Sequence, residues 1–339
     1  MLTKSNLTQL YQFAKGNLNE VLLDQANSKS IETLHAFLPQ LNMVNYEFRL
    51  SQDDSRVDAN IMVWRYEAPI LLDWLADRQE QVYQQLHSWV RDWVDSTNSF
   101  HLMIQNIWIM YDLQEDEIPE PWIIFAFSEF SLDKEAYIGL IKRLAAYFDT
   151  NYSDSHWQIL DKIYSQLSEG QSIPAIGFQN RNINSIRLGV RDFFDVNQLC
   201  SYLEKISWSG DYDFIKQHYA DFIADSSYTM TSITFNEELL PVLGIECYMD
   251  TKNNLSHSKE FLIELVKQNL CTPEKMDAII NWIGNEETPP NYFTLDSLYD
   301  SNVTEIKRWL LEVKLLVDPS KAPSAKAYVL INQSRKEIG

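Results

Sequence analysis

Residues 43–66 read MVNYEFRL, then SQDDSRVD, then ANIMVWRY. The outer two octets are rich in aromatic and β-branched side chains, and the octet between them is polar. Two strand-like runs around a polar turn are the mark of a β-hairpin. Side chains alternate faces along a strand, so Tyr46, Phe48 and Leu50 fall on one side and Glu47 and Arg49 on the other. A sheet with one apolar and one charged face packs on one side only.

The pattern recurs four times. Asn106–Leu113 pairs with Trp122–Ser128 across QEDEIPEP, and Ile173–Phe178 with Ser185–Arg191 across QNRNIN. Tyr228–Phe235 pairs with Gly244–Asp250 across NEELLPVL, and Val313–Asp318 with Ala325–Asn332 across PSKAPS. Between the hairpins lie longer stretches of helical periodicity, at 69–96, 133–168, 196–224 and 258–284. The N-terminal forty residues are helical in character too. Thr272 and Pro273 in CTPEK form a helix start, with Thr272 as N-cap and Pro273 at the first helical position. No Gly, Ser or Pro linker breaks the series, which predicts one domain over 1–339, with helices in 1–42 and the hairpin repeat in 43–333. The stretch 286–304 reads as an inserted loop.

Five hairpins alternating with helix pairs predict an α+β fold: a closed ten-stranded antiparallel β-barrel surrounded by helices. Closure removes exposed strand edges, and ten strands leave a usable lumen. An open antiparallel sheet with helices on one side is the alternative. If the apolar faces meet the helices, the lumen receives Glu47, Arg49, Arg187, Arg191, Glu246, Tyr248, Lys314, Lys326 and Tyr328. The second hairpin adds Trp108, Met110, Asp112 and Trp122. In an open sheet the same residues form a polar face in water.

Composition narrows the functional classes. The net charge of −20 speaks against nucleic acid, whose binding needs a basic face. No apolar run is long enough for a membrane span, and the N-terminal residues are too polar for a secretory signal. Cys200, Cys247 and Cys271 suggest neither a disulfide framework nor a zinc site, so a reducing cytoplasm is expected. Cys247 falls on the helix-facing side and reads as core. The six histidines lie mostly in helical or loop segments, and no HExxH, P-loop, GxGxxG or GxSxG motif occurs.

The order of five αββα units resembles the ABBA-fold aromatic prenyltransferases, and among these the cyanobactin (ribosomal peptide) prenyltransferases most. The resemblance covers about Met43 to Gln333 and is one of pattern with short local echoes, such as AIGF before a polar turn and a charged strand. It implies a carboxylate base in the first barrel strand, where NYEFRL offers Glu47. It implies a diphosphate site of basic and tyrosine side chains, here Arg49, Arg187 of SIRLGVR, Lys314 of EVKLLV, and Lys326 with Tyr328 of AKAYVL. PWIIFAFS departs from the family in lacking the basic residue of the second hairpin. The implied donor is an allylic diphosphate, dimethylallyl diphosphate first, and the acceptor a peptide or an aromatic small molecule. The family needs no DDxxD metal motif, and none is present; Mg2+ would come only with the donor. The pair Asp53–Asp54 reads as a solvated turn, not a magnesium site.

Ionisation of an allylic diphosphate puts charge on the leaving group, which fixed Arg and Lys donors stabilise. Aromatic faces shield the allyl cation. Trp64, Trp108, Trp122 and Tyr248 are candidates for that pocket, with Glu246 as a second carboxylate beside Glu47. Each also has an ordinary role open to it, as core aromatic or as ion-pair partner. Two other functions stay open on such a barrel: a peptide-tailoring enzyme of different chemistry, and a non-catalytic binding protein.

Overall fold

In the computed structural model, the described residues are 6–15, 18–51, 54–113, 118–128, 133–148, 152–179, 185–288 and 304–335. Two helices, α1 (Asn6–Lys15) and α2 (Gln25–Phe37), precede the first hairpin of β1 (Met43–Arg49) and β2 (Val57–Trp64). Then come α3 (Ala68–Leu75), α4 (Gln81–Val94), α5 (Ser99–Met103), β3 (Ile104–Tyr111) and β4 (Trp122–Phe127). The third unit has α6 (Lys134–Tyr147), α7 (Asp154–Ser165), β5 (Ser172–Gln179) and β6 (Ser185–Arg191). The fourth has α8 (Val196–Lys205), α9 (Tyr212–His218), α10 (Ala220–Asp225), β7 (Tyr228–Phe235) and β8 (Leu239–Tyr248). The last has α11 (Asn254–Lys267), α12 (Pro273–Trp282), β9 (Gly284–Thr288), β10 (Thr304–Val317) and β11 (Ser324–Arg335).

All strand pairings are antiparallel, and β11 pairs with both β10 and β1, so ten strands close into a barrel. Closure excludes the open-sheet alternative. The outward faces carry the apolar set: Tyr46, Phe48, Ile61, Val63, Leu188 and Val329 are all buried in the core. The aromatic content is spent largely at this helix–barrel boundary. Trp89 and Trp93 of α4 stack at 5.0 Å, and Trp89 meets Phe125 of β4 edge-on at 4.7 Å. Cys247 is fully buried on the same side. No helix among the described residues is long and apolar enough to cross a membrane.

Two sequence expectations need correction. The stretch 286–304 is not wholly a loop: β9 includes residues 286–288 and pairs with residues 304–308 of β10. It is polar, GNEET, and lies outside the closed ring, so no apolar alternation announces it. The last hairpin also begins before Val313, because β10 spans Thr304–Val317. Its N-terminal part pairs with β9, its C-terminal part with β8, and a bulge between Leu310 and Glu312 marks the change. Such a bulge resets which residues face inward. Ile306 and Leu310 face the core before it, Val313 and Leu315 after it.

A buried lysine ties the last helix to the first hairpin. The Thr272 side chain caps α12 by accepting from Lys275 N. The Lys275 ammonium, only 4% exposed, donates to the carbonyls of Arg49, Ser51 and Asp54 at 2.8, 2.5 and 2.7 Å. A point charge with three rotatable donors suits this cradle, and three half-buried carbonyls lose this partner if it goes. Lys275→Met should lower the unfolding free energy by about 2–4 kcal/mol in urea titrations. An unchanged midpoint and slope would show that the turn after β1 needs no such tie.

Candidate active site

Register places the inward side chains in lateral rows. In one row Arg49, Lys326, Lys314 and Glu246 face each other in turn across β1, β11, β10 and β8. Two residues along, about 7 Å, a second row runs Asp58, Glu47, Tyr328, Glu312, Tyr248. A further step gives Trp122, Met110, Asn60, Asn45 and Leu330. On the other side of the lumen, Thr234, Arg187, Gly177, Ile124 and Trp108 form a fourth row.

Three cations directly opposed on neighbouring strands repel one another. Carboxylates offset this. Glu47 Oε1 lies 2.5 Å from Lys326 Nζ and 2.8 Å from Arg49 Nη1. Asp58 Oδ2 lies 2.6 Å from Arg49 Nη2, and Glu246 Oε1 2.7 Å from Lys314 Nζ. Lys314 also donates to Ser232 Oγ at 3.0 Å, and Ser232 donates to Glu246. Gly244 makes room for that reach, since a Cβ there would fall 2.2 Å from Lys314 Cε.

Arg187 differs from the other three. Among the described residues it pairs with no carboxylate. Its Nε donates to Thr234 Oγ1 at 3.3 Å, and its guanidinium lies over the Trp122 ring, 4.4 Å from the centroid. Trp122 stands on β4, two strands from Arg187, with β5 between them. β4 itself presents Trp122, Ile124 and Ala126 inward, so the basic residue missing from the second hairpin is missing from the barrel wall. Arg187 brings a positive charge to that side from β6.

Burial and charge set the ionisation of the carboxylates. Burial pushes Glu47 up, but the charges of Lys326 and Arg49 and hydrogen bonds from Lys326 and Tyr328 outweigh it and hold its pKa at about 2. Asp58 moves the other way, to about 6, through burial first and then the charge of Glu47 opposite it. Burial, with the charge of Glu246, puts Glu312 well above the ordinary carboxylate value, and Tyr248 donates a hydrogen bond to it. Burial alone is the main reason the Arg187 pKa falls.

A cavity of about 110 Å³ occupies the lumen. Its walls include Trp108, Arg187, Glu246, Tyr248, Lys314 and Tyr328. Arg49, Glu47 and Lys326 face the same lumen in the adjoining rows but are not part of that wall. Trp122 carries Arg187 instead of lining the cavity, and Trp64 faces inward at the far end, opposite Asn106. Arg191 sits at the end of β6, paired with Asp192 at 3.0 Å. Asp53 lies outside the described residues, and Asp54 is paired with Arg56 at 2.5 Å. Asp58, Glu312, Asn45 and Asn60 do not stand out in the sequence, although Asn45 lies two residues from Glu47 and Glu312 two from Lys314.

Among solved structures, the chain is similar to a 5-dimethylallyltryptophan synthase from Streptomyces coelicolor in complex with DMASPP and tryptophan. The TM-score is 0.53 at 10% identity, over 96% of this chain and 92% of that one. A 6-dimethylallyltryptophan synthase from Micromonospora olivasterospora, also in complex with DMASPP and tryptophan, gives 0.53 at 9% identity, over 97% of each chain. The prenyltransferase PriB, in a ternary complex with L-tryptophan and dimethylallyl thiolodiphosphate, gives 0.50 at 10%, over 96% and 94%. The fold is the ABBA barrel. No family model and no curated protein matches the sequence. At this identity the likeness is one of architecture, shared with aromatic prenyltransferases at large, and it does not single out the cyanobactin enzymes.

The polar interior of this ABBA barrel has a pH signature. The folded pKa of Asp58, about 6, exceeds its ordinary 3.8. Between those values the folded state holds a proton that the unfolded chain has lost. Its contribution to stability is therefore full below about pH 4 and lost as the pH rises through about 6. Asp58→Asn should shrink the drop in urea midpoint between pH 4 and pH 7 relative to wild type. The same drop in both proteins would mean that Asp58 titrates normally.

Proposed function

We propose that the chain is a prenyltransferase that moves a short isoprenyl group from an allylic diphosphate, dimethylallyl diphosphate first, to an aromatic or peptide acceptor. One observation carries this reading: of three directly opposed cations in the lumen, Lys314 joins Arg187 in lining a cavity walled by Trp108, Tyr248 and Tyr328. Repulsion within such a row is relieved when a multiply charged anion arrives. The solved structures of the same fold with DMASPP, or dimethylallyl thiolodiphosphate, and tryptophan bound support the same donor and an aromatic acceptor. A peptide acceptor in natural-product maturation, and kinship with the cyanobactin enzymes, extend the proposal beyond those structures.

In the proposed reaction the allylic C–O bond breaks and its electron pair leaves with the diphosphate. Arg49, Arg187, Lys314, Lys326 and Tyr328 would stabilise that charge. Trp108 and Tyr248 would face the allyl cation, with Trp64 and Trp122 farther out and Glu246 holding Lys314 in place. The acceptor supplies the electrons of the new bond and then loses a proton. Glu47 is ionised and one row from the cations, so it is the proposed proton acceptor. While it neutralises Lys326 and Arg49 it is a weak base; a diphosphate that draws those cations to itself raises its basicity. Any Mg2+ would enter with the donor, since no group of three or more His, Cys, Asp or Glu among the described residues is placed to hold a metal.

A second reading, another tailoring or binding function, rests on one fact: three of the four lumen cations already have carboxylate partners. Calorimetric titration with dimethylallyl diphosphate separates the two. The transferase reading expects binding by the wild type, weakened about ten-fold or more in Lys326→Ala with turnover abolished. Glu47→Gln should keep donor affinity largely intact and lose product. No binding of any prenyl diphosphate by the wild type would hand the barrel to the second reading.

A further inference from the structure

Buried polar groups in proteins have partners, and each exception calls for an explanation. Asn45 and Asn60 face each other directly across β1 and β2, are 2% exposed each, and line the lumen cavity. The Oδ1 of each is buried and has no hydrogen-bond partner. Asn106 shares that orphaned oxygen but stands opposite Trp64, away from the cavity wall.

The surroundings of the pair say what it suits. Its row continues through apolar or aromatic side chains on both sides, Leu330 beyond Asn45 and Met110 then Trp122 beyond Asn60. The carboxylates Glu47 and Asp58 lie in the next row, the cations Arg49, Lys326 and Lys314 in the row after that, and Arg187 across the barrel. Along β1 the order is therefore cation, carboxylate, carboxamide, at steps of about 7 Å. A cationic ligand would find no counter-charge in the carboxamide row, and the cation that reaches the row, Arg187, is stacked over Trp122 at its far end and bonded to Thr234. A flat apolar group with a hydrogen-bond donor on its edge satisfies both the greasy flanks and the orphaned oxygens.

We propose that Asn45 and Asn60 form a specificity-determining pair, which recognises a neutral ring bearing an N–H, of which indole is the example. This deepens the transferase reading and rests on it only in naming the ligand as the acceptor. The pair would hold the acceptor at one end of the layered lumen, with Glu47 between it and the diphosphate row.

Indole and benzothiophene, a near-isostere without the N–H, are titrated calorimetrically into the full chain. Each titration is run with and without dimethylallyl thiolodiphosphate. The wild type is expected to bind indole roughly ten-fold more tightly than benzothiophene, the worth of one buried hydrogen bond. Asn45→Leu and Asn60→Leu should bring the two affinities together by weakening indole alone. The free variants should melt no lower than wild type, because an orphaned carboxamide gives way to an apolar side chain of similar size. Equal wild-type affinities, or a preference for indole that survives both variants, would overturn the inference. So would a clearly lower melting temperature in both variants, which would make the carboxamides structural. If the thiolodiphosphate fails to bind but the indole preference is present, the transferase reading falls and this inference stands. Donor binding without indole preference overturns this inference and leaves the transferase reading in place.

Discussion

Arg49, Lys326 and Lys314 stand side by side on three adjacent strands, and the interior is organised around that repulsion. Directly opposed like charges weaken a sheet. Here they persist because Glu47, Asp58 and Glu246 sit close enough to bond to them, and because Tyr328 in the next row donates to Glu47. The arrangement explains why the acids diverge in proton affinity. Glu47 takes two cations and stays ionised; Asp58 shares one of them while facing Glu47, and Glu312 lies beside Glu246. A cluster balanced in this way is sensitive to any further anion, since each new negative group competes with a carboxylate already in place.

The outer half of the molecule follows simpler rules. Apolar side chains from every second strand position meet the amphipathic helices, and the ten-stranded ring leaves no edge except where β9 lies against β10. The bulge at Leu311 lets one long strand serve two neighbours in succession, β9 and then β8, while its partner β11 runs along its whole length. The local shift of one residue keeps Glu312 and Lys314 inward without exposing Leu310 or Val313.

Much of this is legible in the sequence because one face of each strand is apolar and the other is not. Tyr46 and Phe48 against Glu47 and Arg49, or Val313 and Leu315 against Lys314, leave a period of two with a single interpretation once one side is packed. The misses have equally concrete causes. Asp58 belongs to a run, SQDDSRVD, whose polarity hides the start of a strand. Glu312 precedes the residue at which the alternation becomes regular, and the bulge breaks the pattern there. Asn45 and Asn60 carry no charge to draw attention, so their meaning rests on a missing partner that only coordinates reveal. β9 has no apolar face at all. The opposition of Arg49 to Lys326 depends on ring closure, which no local pattern encodes.

That closure also orders events in time. Lys326 reaches Glu47 across 279 residues of chain, and Lys275 reaches the carbonyl of Asp54 across 221. A chain that emerges from its N-terminus must hold β1 without its β11 neighbour until β11 itself has been made. Until then one row of backbone donors and acceptors stands open to any strand that passes. Long-range closure of this kind slows folding, because the entropy of a large loop is lost before its contacts form. The last hairpin therefore acts as a latch, and truncation near the C-terminus would leave a sheet with two raw edges instead of a smaller barrel.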